Sequence, residues 1–365
     1  MKNKIGIFVD VLREGGGPRG YCYNLYEGLK QISSANLKIK FIHGPDKKIS
    51  FFRKVINKLR KFLYILYSDV CVIQGFQNPI VAKIAKTFSK KIIYMPHSPT
   101  IFADEYKMQC EVTNTEVNKK IYIKNLLDEE YLFNVSDYVF FPVPEAANSY
   151  VEKWGNLLKN KKKVYLKSGT IIRKSLKENV YFEHGDAFVV SFIGRYVTHK
   201  GFDIFCEAAG KFKENKNIKF ISAGNGGLIN KAEENGVLNL GFIKDVESLI
   251  MDSDVIVIPN RVSYYDLLPI ECSSFGAPLI FSDIGGNISQ NKDMPDSLLF
   301  HSGDINDLCA VIKKAFEIRE NDVSWGSKNK VAYNNLFTET KLAERWVKAL
   351  SLVVEDSVKN DIQIE

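Results

Sequence analysis

Two cations, two carboxylates, a glycine-rich loop and one histidine are the groups in this chain best placed to do chemistry. Arg195 and Lys200 lie in Gly194-Arg-Tyr-Val-Thr-His-Lys-Gly201, after an apolar run that reads as a strand and before an apolar-periodic stretch that reads as a helix. Fixed cations beside a helix N-terminus suit a diphosphate, because charge and hydrogen-bond donors converge there. A second strand, loop and helix follow in Asp254–Asn287. Val255–Ile258 reads as a buried strand, Pro259 stops it, and Asn260–Asp266 forms a polar, aromatic loop. Pro269 sits near the first helical turn, where a missing N–H costs nothing, and Gly276 ends the helix. Asp266 and Glu271 flank that helix start, and a carboxylate there can accept hydrogen bonds from two sugar hydroxyls. Taken singly, each charged residue reads equally well as a surface ion-pair partner. Their recurrence at successive strand ends favours a ligand site.

The N-terminal part offers a loop of similar kind, Arg13-Glu-Gly-Gly-Gly-Pro-Arg-Gly20, between a strand at Ile5–Val9 and a helix from Tyr21. Backbone N–H groups in such a loop can approach a phosphate or sugar closely. It is not the dinucleotide fingerprint, since the G-x-G-x-x-G spacing is missing and Pro18 removes a donor. A tight strand-to-helix turn is the ordinary alternative. His97 follows the strand Lys91–Met95, at a carboxyl end where a reacting group is well placed, although a lone histidine is more often structural. Asp252-Ser-Asp254 is formally a D-x-D. It falls at the start of a strand, away from the ligand end, and reads as a helix–strand connection. No catalytic metal is expected.

These groups must be carried by a sheet scaffold, and the pattern supplies one. The 365 residues suffice for two domains, and 45% apolar with 25% charged residues is ordinary soluble composition. Strand and helix patterns alternate twice, which predicts an α/β chain of two doubly wound units with a cleft between them. Residues 1–165 form the first predicted domain, 166–335 the second, and 336–365 a C-terminal helix across the cleft with a frayed tail. The charge run Gly155–Lys163 reads as a break before the boundary, and Lys167–Asp186 as irregular. Six scattered cysteines make neither a C-x-x-C pair nor a zinc spacing, which points to reduced thiols. No stretch reads as a signal peptide or membrane span, so a cytoplasmic protein is expected, peripheral on the inner face of the membrane if lipid is its partner.

Charge is uneven. Residues 1–165 hold 27 Lys/Arg against 15 Asp/Glu, a surplus of twelve positive charges, while the rest holds 23 against 28. The positive field suits an anionic partner. Within it, Ile49–Tyr67 places Phe52, Val55, Ile56, Leu59, Phe62, Leu63 and Leu66 on one helical face and six basic or amide residues on the other. That is the pattern of an interfacial membrane helix, and equally that of a core-packing helix with a solvated basic face.

The second half resembles the retaining glycosyltransferases of family 4 (group 1), which have the GT-B fold. The resemblance is carried by FIGRYVTHKGFD (192–203), ISAGNGG (221–227), LGFIKD (240–245), the stretch from Asp254 to Glu271, and SDIGGN (282–287). It is close over residues 164–290 and looser over the first half, where GGGPRGYCYNLYEGL and MPHSP are similar to members that build bacterial surface polysaccharides such as capsule or O-antigen. It implies that Arg195 and Lys200 hold the donor diphosphate and that Glu271 binds the nucleotide ribose. It also implies that Leu267 and Leu268 offer backbone N–H groups to a phosphate or sugar, and that Gly241–Ile243, with Phe242, line the base beside Gly224. Gly16 and Gly17 would lie near the leaving phosphate and His97 near the transferred sugar. The family pattern carries a second glutamate eight positions before Glu271. Here that position is Ser263, with Asp266 nearby to supply a carboxylate. The implied activity is sugar transfer from a UDP- or GDP-linked donor to a saccharide or lipid-linked acceptor. The basic first half adds an anionic membrane surface as a partner, and no cofactor and no nucleic acid are expected. A nucleotide-sugar epimerase or hydrolase of the same fold, and a non-catalytic membrane- or glycan-binding homologue, are the alternatives.

Overall fold

The computed structural model describes residues 2–33, 36–45, 50–75, 79–113, 115–172, 181–182 and 185–365. Ile49 and much of Lys167–Asp186 lie outside them. Two compact units form. The first comprises Met1–Lys107, Val117–Thr170 and Phe337–Glu365, and the second Met108–Glu116 and Ile171–Leu336.

In the first unit, β1 (Asn3–Phe8), β2 (Leu37–Ile42), β3 (Val70–Gln74), β4 (Lys91–Met95), β5 (Tyr138–Phe141) and β6 (Lys162–Leu166) pair in parallel in the order β6-β5-β4-β3-β1-β2. β3 and β5 are buried along their whole length, as expected of strands covered on both faces. The second unit repeats the plan. β7 (Phe188–Ile193), β8 (Ile218–Ala223), β9 (Leu238–Asn239), β10 (Val255–Ile258), β11 (Leu279–Ser282) and β12 (Ser297–Phe300) pair in the order β12-β11-β10-β7-β8-β9. Each sheet starts in its interior and winds outward both ways. The order therefore reverses between β1 and β3 in the first unit and between β7 and β10 in the second, and such a switch point opens a crevice at the carboxyl ends of the strands.

The end of the chain departs from the expected frayed tail. β13 (Ile362–Ile364) adds a seventh strand beside β6, with Ile362 opposite Val164 and Ile364 opposite Leu166. Lys163 Nζ, 2.9 Å from Asp361, and Lys91 Nζ, 2.7 Å from Asp356, tie the approach to the sheet. Gly155–Lys163 departs likewise. The helix Asn148–Lys159 runs through Gly155, and Lys162 and Lys163 already belong to β6. The lysines there lie on a helix end and a strand start, not in a linker.

The helix Glu339–Val354 belongs to the first unit and packs on the helix Gly17–Gln31. Contact is close at Gly28, where an added Cβ would lie 2.1 Å from the Glu339 carbonyl oxygen. Trp346 is fully buried, its ring 5.4 Å from that of Phe140, and its Nε1 donates to the Tyr21 hydroxyl at 2.8 Å. Trp346→Ala removes that packing and bond together. We expect a loss of roughly 3–5 kcal/mol in urea unfolding, and a loss under about 1 kcal/mol would show that the helix is not integral to this core.

Candidate functional site

The second unit's switch point gathers most of the expected residues. β7 and β10 are neighbours, with Val190 opposite Val255, so the loops that leave them emerge side by side. After β7, a single helical turn Thr198–Lys200 leads into the helix Phe202–Lys211 through Gly201, at φ 70°. A Cβ at Gly201 would fall 1.8 Å from the Pro259 carbonyl oxygen, so only glycine lets the two loops approach this closely. Arg261, just beyond β10, completes the junction. It grips Asp203 with both guanidinium arms at 2.7 and 2.8 Å, donates to the Thr198 carbonyl at 2.7 Å, and its backbone N–H reaches the His199 carbonyl at 3.0 Å. Such a planar fork resists rotation better than a single contact.

On this frame Lys200 forms an ion pair with Asp266, whose carboxylate also accepts from Asn260 Nδ2 at 2.9 Å. Burial pushes the Asp266 carboxyl up, but Lys200, Asn260 and Arg195 together hold it below its ordinary value. Arg195 is exposed, and its Nη2 lies 3.3 Å from His199 Nε2. Burial first, then the charges of Arg195 and Lys200, lower the His199 pKa to about 4, so its imidazole is neutral and accepts from the guanidinium. With one carboxylate against two cations, the cluster keeps a net positive charge.

Asp266 is also the N-cap residue of the helix Leu267–Phe275, yet its side chain makes no cap bond. The N–H groups of the first turn have no partner within their own helix. Because the carboxylate is turned to Lys200, the end of this helix stands open to another anion at Leu267 and Leu268, both half-buried. Glu271 is half-buried one turn further along the same helix. Ser263 is buried, and its hydroxyl donates to Asn287 Oδ1 at 2.6 Å. Asn287 in turn donates to the Ile258 carbonyl and the Ser282 hydroxyl, and Gln290 Nε2 to the Asp266 carbonyl at 2.8 Å. The loop 260–266 is thus set from beneath by the helix Gly286–Asp293, which sequence patterning did not reveal. On the other side of β7, the Gly224 N–H donates to the Gly241 carbonyl at 2.8 Å, and Phe242 beyond it is 76% exposed. Asp254 serves structure, as expected. It accepts from the Val189 N–H at 2.8 Å and from Arg319 Nε at 3.2 Å.

The first unit's switch point holds the rest. Gly16 caps the helix Gly17–Gln31, and Cβ atoms added at Gly15, Gly16 or Gly17 would meet nothing within 4 Å. The helix start is therefore open above. His97, beyond β4, points its Nε2 at Gln74 Oε1, 2.5 Å away at the end of β3, and its ring packs 4.9 Å from that of Tyr21. An amide oxygen only accepts, so Nε2 carries the proton and Nδ1 is left as an acceptor. Burial lowers the His97 pKa to about 3, which suits it to hydrogen bonding and not to proton abstraction. Gln74 escaped the sequence reading. It is 5% exposed, and its Nε2 has no partner among the described residues. Asn260, Arg261 and Gln290 escaped it too, since a residue that acts by holding another leaves no spacing to read.

Two parallel, doubly wound units with their polar groups at the switch points define a GT-B protein. Residues 187–317 match the family model of the glycosyl transferases, group 1. A relative in Escherichia coli, a UDP-Gal:α-D-GlcNAc-diphosphoundecaprenol α-1,3-galactosyltransferase, is 29% identical over 44% of this chain and 45% of its own. The chain thus spans about half the length of that relative. Sucrose-phosphate synthase from Thermosynechococcus elongatus superposes with a TM-score of 0.71 at 15% identity, covering 97% of this chain and 100% of that one. HepE of Anabaena, solved with UDP and glucose, gives 0.68 at 14% over 96% and 99%.

The two histidines make the fold acid-sensitive. Unfolded, both protonate near pH 6.5. Folded, they stay neutral down to about 4 for His199 and about 3 for His97. In that window the unfolded state binds more protons, so stability falls as pH falls, by up to roughly 1.4 kcal/mol per pH unit for the buried His97 and by less for the solvent-screened His199. Urea unfolding between about pH 6.5 and pH 4.5 should show a shallower slope for His97→Gln than for the wild type. Equal slopes would mean that His97 is protonated in the fold.

Proposed function

We propose that the protein is a retaining glycosyltransferase that moves a sugar from a nucleotide-diphosphate sugar to a lipid-linked saccharide in bacterial cell-surface polysaccharide synthesis. The observation that carries this reading is the pairing, at one switch point, of the Arg195/Lys200 cluster with the open start of the helix Leu267–Phe275. In it, a donor diphosphate meets Arg195 directly and draws Lys200 from Asp266. The N–H groups of Leu267 and Leu268 complete its shell, Glu271 accepts from the ribose, and Phe242 and Gly224 border the base. The UDP bound by HepE and the diphosphoundecaprenol acceptor of the Escherichia coli relative support the two substrate classes.

The chemistry follows from charge. The anomeric C–O bond to the diphosphate breaks, and negative charge grows on the departing phosphate. Cations and a helix dipole already fixed there stabilise that charge more in the transition state than in the bound donor, which is the condition for acceleration. The acceptor oxygen bonds to the same face of the sugar carbon and passes its proton to a departing phosphate oxygen. This path asks for no side-chain base, which agrees with a His97 too weakly basic to serve as one. In this reading Asp266, freed from Lys200, faces the transferred sugar beside Ser263, and the first unit offers His97 Nδ1 as an acceptor for a hydroxyl and the open helix start at Gly16 and Gly17. The cations take the part a metal plays elsewhere, so no cofactor is assigned.

Arg195→Ala, at an exposed side chain, should lower donor turnover by roughly 10²–10³ with the unfolding midpoint nearly unchanged, and Lys200→Ala should lower turnover by a similar factor and also lower the midpoint, because it leaves the Asp266 carboxylate without its cation. Undiminished turnover would remove the diphosphate assignment. A screen of UDP- and GDP-sugars by thermal shift identifies the donor, since a ligand at about 100 times its Kd adds roughly 2.7 kcal/mol. NMR of the product's anomeric centre decides the stereochemistry, and inversion would overturn the retaining mechanism.

A further inference from the structure

The helix Phe51–Tyr67 stands on the first unit the wrong way round for a soluble protein. Its stripe of Phe52, Val55, Ile56, Leu59 and Leu63 faces solvent, with exposures of 72, 47, 47, 57 and 55%. The side turned to the unit is the one that carries Lys61, Tyr64 and Ile65. Ile65 is 1% exposed, and burial lowers the pKa of the half-buried Lys61 ammonium. The attachment is partly by cation–π contact, with Lys40 Nζ 5.2 Å from the Tyr64 ring centre and Lys4 Nζ 4.5 Å from that of Tyr67. A core-packing helix shows the reverse arrangement, so that alternative is overturned. Phe88, 46% exposed and packed edge-on to Phe62 at 6.0 Å, extends the stripe beyond the helix.

Charge decides what covers it. The 17 residues of the helix contain no acidic side chain, and Arg53, Lys58 and Arg60 lie exposed on the flanks of the stripe. A second copy docked on this face would bring these cations against their own kind, which opposes association. A convex apolar ridge rimmed by cations fits a deformable anionic layer, where the apolar side chains sink below the headgroups and the cations meet phosphates. We propose that this helix docks the protein on an anionic lipid surface through Phe52, Val55, Ile56, Leu59 and Leu63, with Arg53, Lys58 and Arg60 on the headgroups. Its purpose rests on the reading of a lipid-linked acceptor, but its geometry does not.

The test is sedimentation of the full chain with vesicles of mixed phosphatidylglycerol and phosphatidylcholine, without nucleotide sugar. Retention is expected at low salt, with loss at roughly 1 M salt and little retention on phosphatidylcholine alone. The double variant Phe52→Ser/Leu59→Ser should weaken retention by roughly tenfold or more, and Arg53→Gln/Lys58→Gln by a similar factor with a flatter salt dependence. All four side chains are exposed, so unfolding midpoints should hold, and transfer to a soluble acceptor should be unchanged in both variants. No retention on phosphatidylglycerol, or full retention by Phe52→Ser/Leu59→Ser, overturns the proposal. So does a wild-type dimer in sedimentation equilibrium that this variant dissolves, since a second copy would then be the occupant. Vesicle retention without any sugar transfer would leave the docking standing while the transferase reading falls.

Discussion

The ion pair between Lys200 and Asp266 joins the two loops on which the candidate donor site depends. An exposed pair of this kind is worth little, but this one is half-buried, reinforced by Asn260, and braced by the Arg261 fork on Asp203. It acts on three things at once. It fixes Lys200 beside Arg195. It turns the Asp266 carboxylate away from the helix it would otherwise cap, which keeps that helix start open to an anion. It also sets Lys200 beside His199, where burial first and then the charges of Arg195 and Lys200 keep the imidazole neutral against the opposing pull of Asp266. In the proposed reading, an arriving diphosphate exchanges the carboxylate partner of Lys200 for another anion, so little new desolvation is needed. Its charges are placed before any ligand arrives, which is the preorganisation that the proposed transfer reaction requires.

The first unit is built with the same economy of contact. Its sheet is completed by the last strand of the chain, and its glycine-loop helix is pinned by the helix that precedes that strand. Gly28 is the point of closest approach, and Trp346 reaches through to the Tyr21 hydroxyl. Tyr21 in turn lies against His97, whose tautomer is set by Gln74. A line of packed side chains thus runs from the C-terminal helix to the candidate sugar-side histidine, so the orientation of that imidazole depends on residues more than two hundred positions later in the chain.

How far the sequence could be read follows from where each signal resides. Strands such as Leu37–Ile42, Lys91–Met95 and Ile218–Ala223 were legible to the residue, the last two because a buried parallel strand is largely apolar between turn residues, and the first because an edge strand alternates apolar residues with lysines. Arg195, Lys200 and the start of the Leu267–Phe275 helix were legible because strand, loop and helix are contiguous. Gln74, Arg261, Asn287 and Gln290 are another matter. Each works by orienting a residue from another strand end, and only the sheet order brings them together. Ser263 shows the limit from the other side. By position it is a candidate sugar contact, yet its hydroxyl is spent on Asn287 beneath the loop. The tail Ile362–Ile364 is too short to carry a periodic signal, and pairing with β6 alone makes it a strand.

The basic helix is the instructive case, because its periodicity was plain and still undecided. A hydrophobic stripe states that one face avoids water, but not which neighbour it avoids water with. The answer came from the opposite face, where Tyr64 and Tyr67 attract the lysines of β1 and β2 and Ile65 enters the core. Once that face is committed, the stripe must point outward. Each large apolar side chain left there forgoes roughly 1.5–3 kcal/mol that burial would have contributed to folding. A chain that keeps five such side chains in a row, ringed by cations and without a carboxylate among them, retains that free energy for whatever surface later covers the helix. The arrangement has a physical rationale only if the covering surface is apolar within and anionic at its boundary.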